Sequence, residues 1–308
     1  MQQLHIATRN SRLALWQAKH LADVIGKKFP QLQVELLGMT TEGDKRIDTQ
    51  LYKLGGKGLF LKELETALVQ GRAQVAVHSA KDVPAALPEG LQLCACLPRQ
   101  DPRDAFVATN FTSLEAMPEG AIIGTSSLRR ASILCYYYPH LSIRDVRGNL
   151  ETRLAKLDAG EYQALVLACA GLERLGLQER IRCRLPIERF VPAIGQGIIA
   201  MEASADNPEV HSLLAQINHA PAWRMLCAER AFGARLEADC HLPVAAHAWL
   251  EADGTTLTMT GMIAASDGSE LLMQTATDAD PLTLGKELAE CLLARGAARL
   301  LGHNHLAR

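Results

Sequence analysis

Short β-type runs alternate with amphipathic helical runs twice along this chain, and that alternation limits the fold more than any other feature. Leu4 to Thr8 reads as a strand. Residues 12–28 then place Leu13, Trp16, Leu21, Val24 and Ile25 at helical spacing, with Ser11 set to cap the helix. Leu32, Val34 and Leu36 alternate as in a strand, and residues 41–58 are a polar, Gly-rich loop. Phe60 to Val69 is predicted helical, stopped by Gly71, and Val75 to His78 is the next strand. A βαβαβ order implies a largely parallel sheet covered by helices.

The polar segment Pro98 to Asp104 is a connector, after which the pattern repeats. Ile122 and Ile123 end a strand, residues 127–137 are helical, and Leu141 to Val146 alternates. Leu150, Leu154 and Leu157 mark a helix ending near Gly160, and Ala164 to Ala168 is a buried strand. A second α/β unit therefore spans residues 104–191. Pro192 to Gly197 is another connector, and Gly197 to Met201 another apolar strand. The last third differs. A helix from about Pro221 to Leu236 precedes strand-like stretches near 243–250, 255–263 and 269–277, separated by Asp253-Gly254 and Asp267-Gly268. A single helix over 282–301 closes this small α+β region. Two α/β units joined by connectors predict a cleft between them, a usual place for a ligand.

The length of 308 residues suggests two domains, or three, at roughly 150 residues each. With 48% hydrophobic and 21% charged residues the chain is not disordered. Its 32 Lys+Arg against 34 Asp+Glu give a net charge of -2, so no nucleic-acid partner is expected. No apolar run approaches the ~20 residues of a membrane span, so no membrane partner is expected. Met1 to His5 shows no signal-peptide pattern, which predicts a cytoplasmic location. The eight cysteines are scattered, without CxxC or paired Cys/His spacing, so neither a metal site nor a disulfide framework is expected.

Gly124-Thr125-Ser126-Ser127-Leu128-Arg129-Arg130 follows a strand and opens a helix, an arrangement suited to anions. Arg144, Arg147 and Arg153 follow, so five arginines fall on segments that end at one sheet edge. Any one of them alone reads first as a solvated surface arginine, but the set reads as a polyanion site. No GxxxxGK[ST] sequence is present. Val77-His78-Ser79-Ala80-Lys81-Asp82-Val83-Pro84 puts a hydroxyl, an ammonium and a carboxylate into one turn after a strand. Asp82 there is either a proton-handling, cation-stabilising group or a residue that shapes the turn. Arg9-Asn10-Ser11 joins the same edge. Gly55-Gly56-Lys57-Gly58 is either a loop that carries Lys57 over a ligand or an ordinary surface loop. Cys240, beside His241 in a loop, is either an accessible thiol or an inert, partly buried one.

Taken together these residues resemble the porphobilinogen deaminase (hydroxymethylbilane synthase) family. The matching stretches are Ala7-Thr8-Arg9-Asn10-Ser11-Arg12-Leu13-Ala14-Leu15, Gly55-Gly56-Lys57-Gly58-Leu59-Phe60, Val77 to Pro84, and Asp101-Pro102-Arg103-Asp104-Ala105-Phe106. They continue with Gly124 to Arg130, Arg147-Gly148-Asn149, Ala170-Gly171-Leu172-Glu173-Arg174-Leu175-Gly176 and Pro192-Ala193-Ile194-Gly195-Gln196-Gly197.

The resemblance implies two periplasmic-binding-protein-like α/β domains with a hinge and cleft. A small C-terminal α+β domain with a three-stranded antiparallel sheet follows. Domain 1 would be residues 1–97 plus about 198–217, domain 2 residues 103–192, and domain 3 residues 220–308. The implied reaction joins four porphobilinogen molecules head to tail with loss of ammonia, then frees hydroxymethylbilane with water. The chain would grow on a dipyrromethane cofactor held by a thioether to Cys240, in a cytoplasmic monomer.

By the same resemblance, Asp82 is the catalytic residue. Cys240, Lys81, Ser79, Thr125, Ser127, Arg129, Arg130, Arg147 and Gly148 bind the cofactor. Arg9, Ser11, Lys57, Ser126, Arg147, Arg153, Arg174 and Gln196 bind substrate. Around Cys240 this chain has Ala238-Asp239 where the family usually has two glycines, and His241 where Gln is common. Val244-Ala245-Ala246 stands where a glycine is usual. The rival reading is a non-catalytic cytoplasmic anion- or solute-binding protein of the same architecture, which would need the arginines but neither Cys240 nor Asp82.

Overall fold

A computed structural model describes residues 1–41, 61–238 and 242–302. It divides into two compact units, Met1–Arg99 with Ile198–Trp223, and Gln100–Gly197 with the chain from Arg224 onward.

Unit 1 begins with β1 (Gln3–Arg9), α1 (Arg12–Lys28) and β2 (Gln33–Met39). Ser11 caps α1 by accepting the N–H of Ala14, and Lys27 and Lys28 in its last turn complement the helix dipole. α2 (Lys62–Val69), β3 (Val75–Ser79), a 3-10 turn over Ala80–Asp82 and β4 (Leu91–Cys96) follow.

The chain then enters unit 2 with β5 (Asp104–Ala108), β6 (Ile122–Gly124), α3 (Leu128–Tyr137) and β7 (Ser142–Arg144). α4 (Leu150–Asp158), β8 (Ala164–Ala168), α5 (Cys169–Arg174) and β9 (Cys183–Arg184) complete this stretch. β10 (Ile199–Ser204) and α6 (Pro208–Ile217) return to unit 1. The last elements are α7 (Ala220–Arg235), β11 (Val244–Leu250), β12 (Leu257–Ala264), β13 (Leu271–Asp278), α8 (Pro281–Ala294) and α9 (Ala297–Leu301).

The sheet of unit 1 has the order β2-β1-β3-β10-β4, and the first sheet of unit 2 has β7-β6-β8-β5-β9. In each, four strands run one way and the strand fourth in that order runs against both its neighbours. Parallel neighbours of this kind need crossover connections, and helices supply them. The fourth strand comes from beyond a connector: β10 in unit 1, and β5, just after the crossing, in unit 2. These are two α/β sheets of equivalent order, followed by the three-stranded antiparallel sheet β11-β12-β13 that was expected.

Both faces of the unit 1 sheet are covered, so its inner strands β1, β3 and β10 are largely buried on both sides. Leu4 and Ile6 of β1 pack with Leu21 and Ile25 of α1 and Leu214 of α6, whereas Ala7 packs with Leu64 and Leu68 of α2. In unit 2, Phe106 and Val166 share a core with Ile133 and Leu134, and with Ala245 and Met262 of the C-terminal sheet. Ala105, Val107, Leu165 and Leu167 face the other way, onto Leu154 and Leu157 of α4.

Several elements differ from the expectations. The closing helix is broken: Gly296 takes φ 92° and separates α8 from α9, where one helix over 282–301 was expected. The alternating run Leu141 to Val146 forms ladder bonds only over β7, because the carbonyl of Val146 accepts the Ser126 hydroxyl. β4, β5, α5 and α6 are additional elements that periodicity did not single out. Among the described residues no helix is long and apolar enough to cross a membrane.

Candidate active site

In unit 1 the candidate residues gather at the carboxyl ends of β1 and β3, which lie side by side. Arg9 is the last residue of β1 and Ser11 caps α1. Ser79 ends β3, and its hydroxyl accepts the side-chain amide of the buried Gln17 at 2.7 Å. The Ala80–Asp82 turn is anchored at both sides. Ala80 donates its N–H to the carbonyl of Ile198 at 2.9 Å, and Val83 donates to Ala80 at 3.2 Å and buries its side chain. Between those anchors Lys81 is half-buried and Asp82 is exposed. Just beneath, His78 Nε2 pairs with Glu202 Oε2 at 2.8 Å, both side chains buried. Gln17 and Glu202 escaped the sequence reading. Their signal was a polar residue on an otherwise apolar face.

In unit 2 the candidates gather at the carboxyl ends of β6 and β7. Gly124 has no room for a Cβ, which would fall 2.6 Å from Leu165 and 2.8 Å from Tyr162. The buried Thr125 donates its N–H to Arg144, and its hydroxyl accepts the N–H of Ser127 at 3.2 Å. Ser127 in turn caps α3 by accepting the N–H of Arg130. Ser126, exposed, joins this strand end to the next through Val146. Gly148 takes φ 106°, a left-handed value that lets the chain turn into the Asn149 cap of α4. Arg147 Nε donates to Asp145 at 2.7 Å, and Arg153 Nε donates to the Gly148 carbonyl at 2.8 Å. Thr125, Ser126, Ser127, Arg147, Gly148 and Arg153 thus belong to one edge.

Arg129 and Arg130 are placed differently from solvated surface arginines. They are only 4% and 6% exposed, and both bond the fully buried carboxylate of Asp104. Gln196 donates to the same carboxylate at 2.9 Å and to the carbonyl of Pro102 at 2.6 Å. Burial alone would raise the Asp104 carboxyl. The charges and hydrogen bonds of the two arginines overcome it and hold the group far below the usual carboxylate range. Arg174 is also buried. It donates to the Gln100 side chain and to the Gly197 carbonyl, at two of the three points where the chain crosses between units. Lys57, Cys240 and His241 lie outside the described residues.

A surface groove of about 180 Å³ is lined by Ala108, Thr109, Asp158, Glu179, Arg180 and Arg182. It sits at the opposite edge, since Ala108 pairs with Ala164 at the start of β8. Its arginines are engaged by Asp158 and by the carbonyls of Ala108 and Thr109.

A family model described as "Porphobilinogen deaminase, dipyromethane cofactor binding domain" matches residues 4–212. A second, "Porphobilinogen deaminase, C-terminal domain", matches residues 223–294. The chain belongs to the porphobilinogen deaminase family. The porphobilinogen deaminases of Burkholderia mallei (strain SAVP1) and Burkholderia pseudomallei (strain 1106a) are each 48% identical over 304 residues. That covers 97% of this chain and 92% of theirs. Among solved structures, the methionine-binding protein MetQ gives a TM-score of 0.46 at 14% identity, covering 81% of this chain and 99% of that one. The VFT2 domain of Bordetella pertussis BvgS gives 0.44 at 15% identity, over 70% and 86%.

By membership the chain is a transferase of porphyrin biosynthesis, a hydroxymethylbilane synthase acting on porphobilinogen, and the solute-binder alternative is not favoured. The family's dipyrromethane carries carboxylates and pyrrole N–H groups. The donor set of unit 2 suits it: arginines and hydroxyls at one edge, with the buried Arg129 Nε lacking an acceptor among the described residues.

Proposed function

We propose that this chain carries its dipyrromethane on a thioether to Cys240 and uses Asp82 as the catalytic group. Four porphobilinogen molecules are joined head to tail and hydroxymethylbilane is released, in a cytoplasmic monomer without nucleic-acid or membrane partners. The observation that carries the reading is the unit 2 edge, where Thr125, Ser127, Arg129, Arg130 and Arg147 surround two adjoining strand ends.

Each pyrrole ring brings an acetate and a propionate, so bound anionic charge grows with the chain. Arginines, hydroxyls and free helix N–H groups are suited to hold it. Lys81, Ser79 and Gly148 complete the cofactor set, and Arg9, Ser11, Lys57, Ser126, Arg153, Arg174 and Gln196 the substrate set. When bound, the dipyrromethane supplies the nucleophilic pyrrole carbon that starts the chain. Asp82 does the protein's part of the chemistry. Departure of ammonia from porphobilinogen leaves positive charge on the pyrrole nitrogen. The Asp82 carboxylate stabilises that charge and takes the proton shed afterwards. A turn anchored on both sides holds it in place, so little reorganisation is needed.

The test is intact-mass measurement of protein made alongside a working tetrapyrrole pathway, followed by ammonia release from added porphobilinogen. Wild type should exceed its sequence mass by two condensed pyrrole units, Cys240→Ser should show the bare mass, and only wild type should release ammonia. A bare mass with no ammonia released by wild type would return the chain to the solute-binder reading.

A further inference from the structure

Asp104 opens β5 and is completely buried. Its Oδ2 accepts Arg129 Nη1 at 2.8 Å. Its Oδ1 accepts Arg129 Nη2 at 3.1 Å, Arg130 Nε at 3.1 Å, Arg130 Nη2 at 2.8 Å and Gln196 Nε2 at 2.9 Å. Two backbone carbonyls complete the setting. Arg129 Nη1 also donates to Val191 at 2.7 Å, and Arg130 Nη1 to Val166 at 3.0 Å. Both guanidinium planes are therefore fixed from several sides, with Asp104 as their common point.

The charges do not cancel. Two guanidiniums share one carboxylate, so one positive charge remains beyond what Asp104 neutralises. Burial and the like charge of Arg130 together outweigh Asp104 at Arg129 and push its guanidinium down from its ordinary value. A second buried carboxylate would have balanced the pair and removed its pull on an anion. A neutral residue at 104 would leave two buried cations in mutual repulsion.

We propose that Asp104 is a positioning residue, the fixed counter-ion that aims the Arg129–Arg130 pair and leaves it one positive charge for a carboxylate of the bound pyrrole chain. Asp104 acts through the arginines and does not itself meet the ligand. This inference rests on the proposed function above.

The test compares Asp104→Asn with wild type as full-length protein made alongside a working tetrapyrrole pathway. The readouts are circular dichroism, pyrrole loading by intact mass, and KM and kcat per loaded molecule. If Asp104 positions the arginines, the folded Asn variant loads to less than a tenth of the wild-type level. Its loaded fraction shows KM raised at least tenfold, with kcat within threefold. A stitch that merely holds the fold together would lower the folded fraction and leave KM of the loaded molecules alone. Loading and KM within twofold of wild type would overturn the proposal. Should Asp104→Asn fail to fold, Asp104→Glu decides, because it keeps the charge and displaces it by one methylene. KM raised threefold or more with an unchanged dichroism spectrum supports the proposal, and a wild-type KM overturns it. Active, loaded wild type beside unaffected variants defeats this inference alone. Wild type that neither loads nor releases ammonia defeats the functional reading beneath it.

Discussion

Glu229 Oε2 accepts the backbone N–H of Gly195 at 2.7 Å, and its Oε1 accepts that of Ala248 at 2.8 Å. A single buried carboxylate on α7 thus ties the 192–197 connector to β11 within unit 2. Glu229→Ala removes two charge-assisted bonds at once and leaves two buried donors short of an acceptor. At ~1.5–3 kcal/mol each, the loss should come to about 3–6 kcal/mol. Denaturant unfolding followed by circular dichroism measures it, and a loss below ~1 kcal/mol would show that water replaces the carboxylate.

Asp82 lies exposed on a turn whose anchors are its neighbours, so its substitution should spare the fold. Asp82→Asn should leave the melting temperature unchanged and slow single-turnover ammonia release roughly 10²–10³-fold, the cost of losing ~3–4 kcal/mol of transition-state stabilisation. Asp82→Glu, which keeps a displaced charge, should fall between the two. Wild-type release by the Asn variant would reduce Asp82 to a turn residue.

Burial pushes the Cys169 thiol up to about 12 and the Cys94 thiol up to about 11, whereas Cys291 is exposed. A raised value favours the unreactive thiol. At pH 8 the thiolate is therefore on the order of 10⁻⁴ of Cys169 and 10⁻³ of Cys94. Among the described cysteines, timed alkylation at pH 8, read by peptide mass, should label Cys291 first. Cys94 and Cys169 should gain label only as the pH climbs toward those values or the protein unfolds. Early labelling of Cys169 would contradict its burial.

Gly285 of α8 approaches α7 so closely that a Cβ there would fall 2.3 Å from the carbonyl oxygen of Ala228. Gly285→Ala must push the two helices apart and should cost about 1–3 kcal/mol. Gly26, in α1, has nothing within 4 Å of an added Cβ. Gly26→Ala should instead stabilise by roughly 0.5–1 kcal/mol through helix propensity. Chemical denaturation of the two variants should therefore move in opposite directions.

The parallel halves were legible because each strand and helix there advertises itself locally: α1 has its Ser11 cap, its apolar spacing and its closing lysines. The fourth strands were not. Gly197 to Met201 reads as a strand, but nothing in five apolar residues says that β10 lies between β3 and β4. That placement depends on pairing across roughly 100 residues, which periodicity does not record. β5 was hidden for another reason. Its first residue, Asp104, looks like the end of a polar connector, and its burial makes sense only once Arg129 and Arg130 cover it.

The candidate site shows the same division. Residues after strand ends could be picked out because a parallel sheet brings those ends to one edge. Partners across the fold, Gln17 for Ser79 and Asp104 for the paired arginines, left only a faint trace. The trace was a polar residue where an apolar one would serve. The sequence reading grouped Arg129 and Arg130 with the less buried Arg144, Arg147 and Arg153, because nothing near them in sequence marks them as buried.

The strand order of unit 1 also sets a timetable for a chain leaving the ribosome. Among the described strands β4 pairs only with β10, and the two are separated by roughly 100 residues that contain every strand of the first unit 2 sheet. At ~5–20 residues per second, β10 follows β4 by roughly 5–20 s. During that interval β5 to β9 have all been made and can pair, while β3 keeps one open edge and β4 has no ladder to join. The unit translated first is therefore the one whose sheet closes last, and its waiting edges are where nascent chains are most open to mispairing with one another.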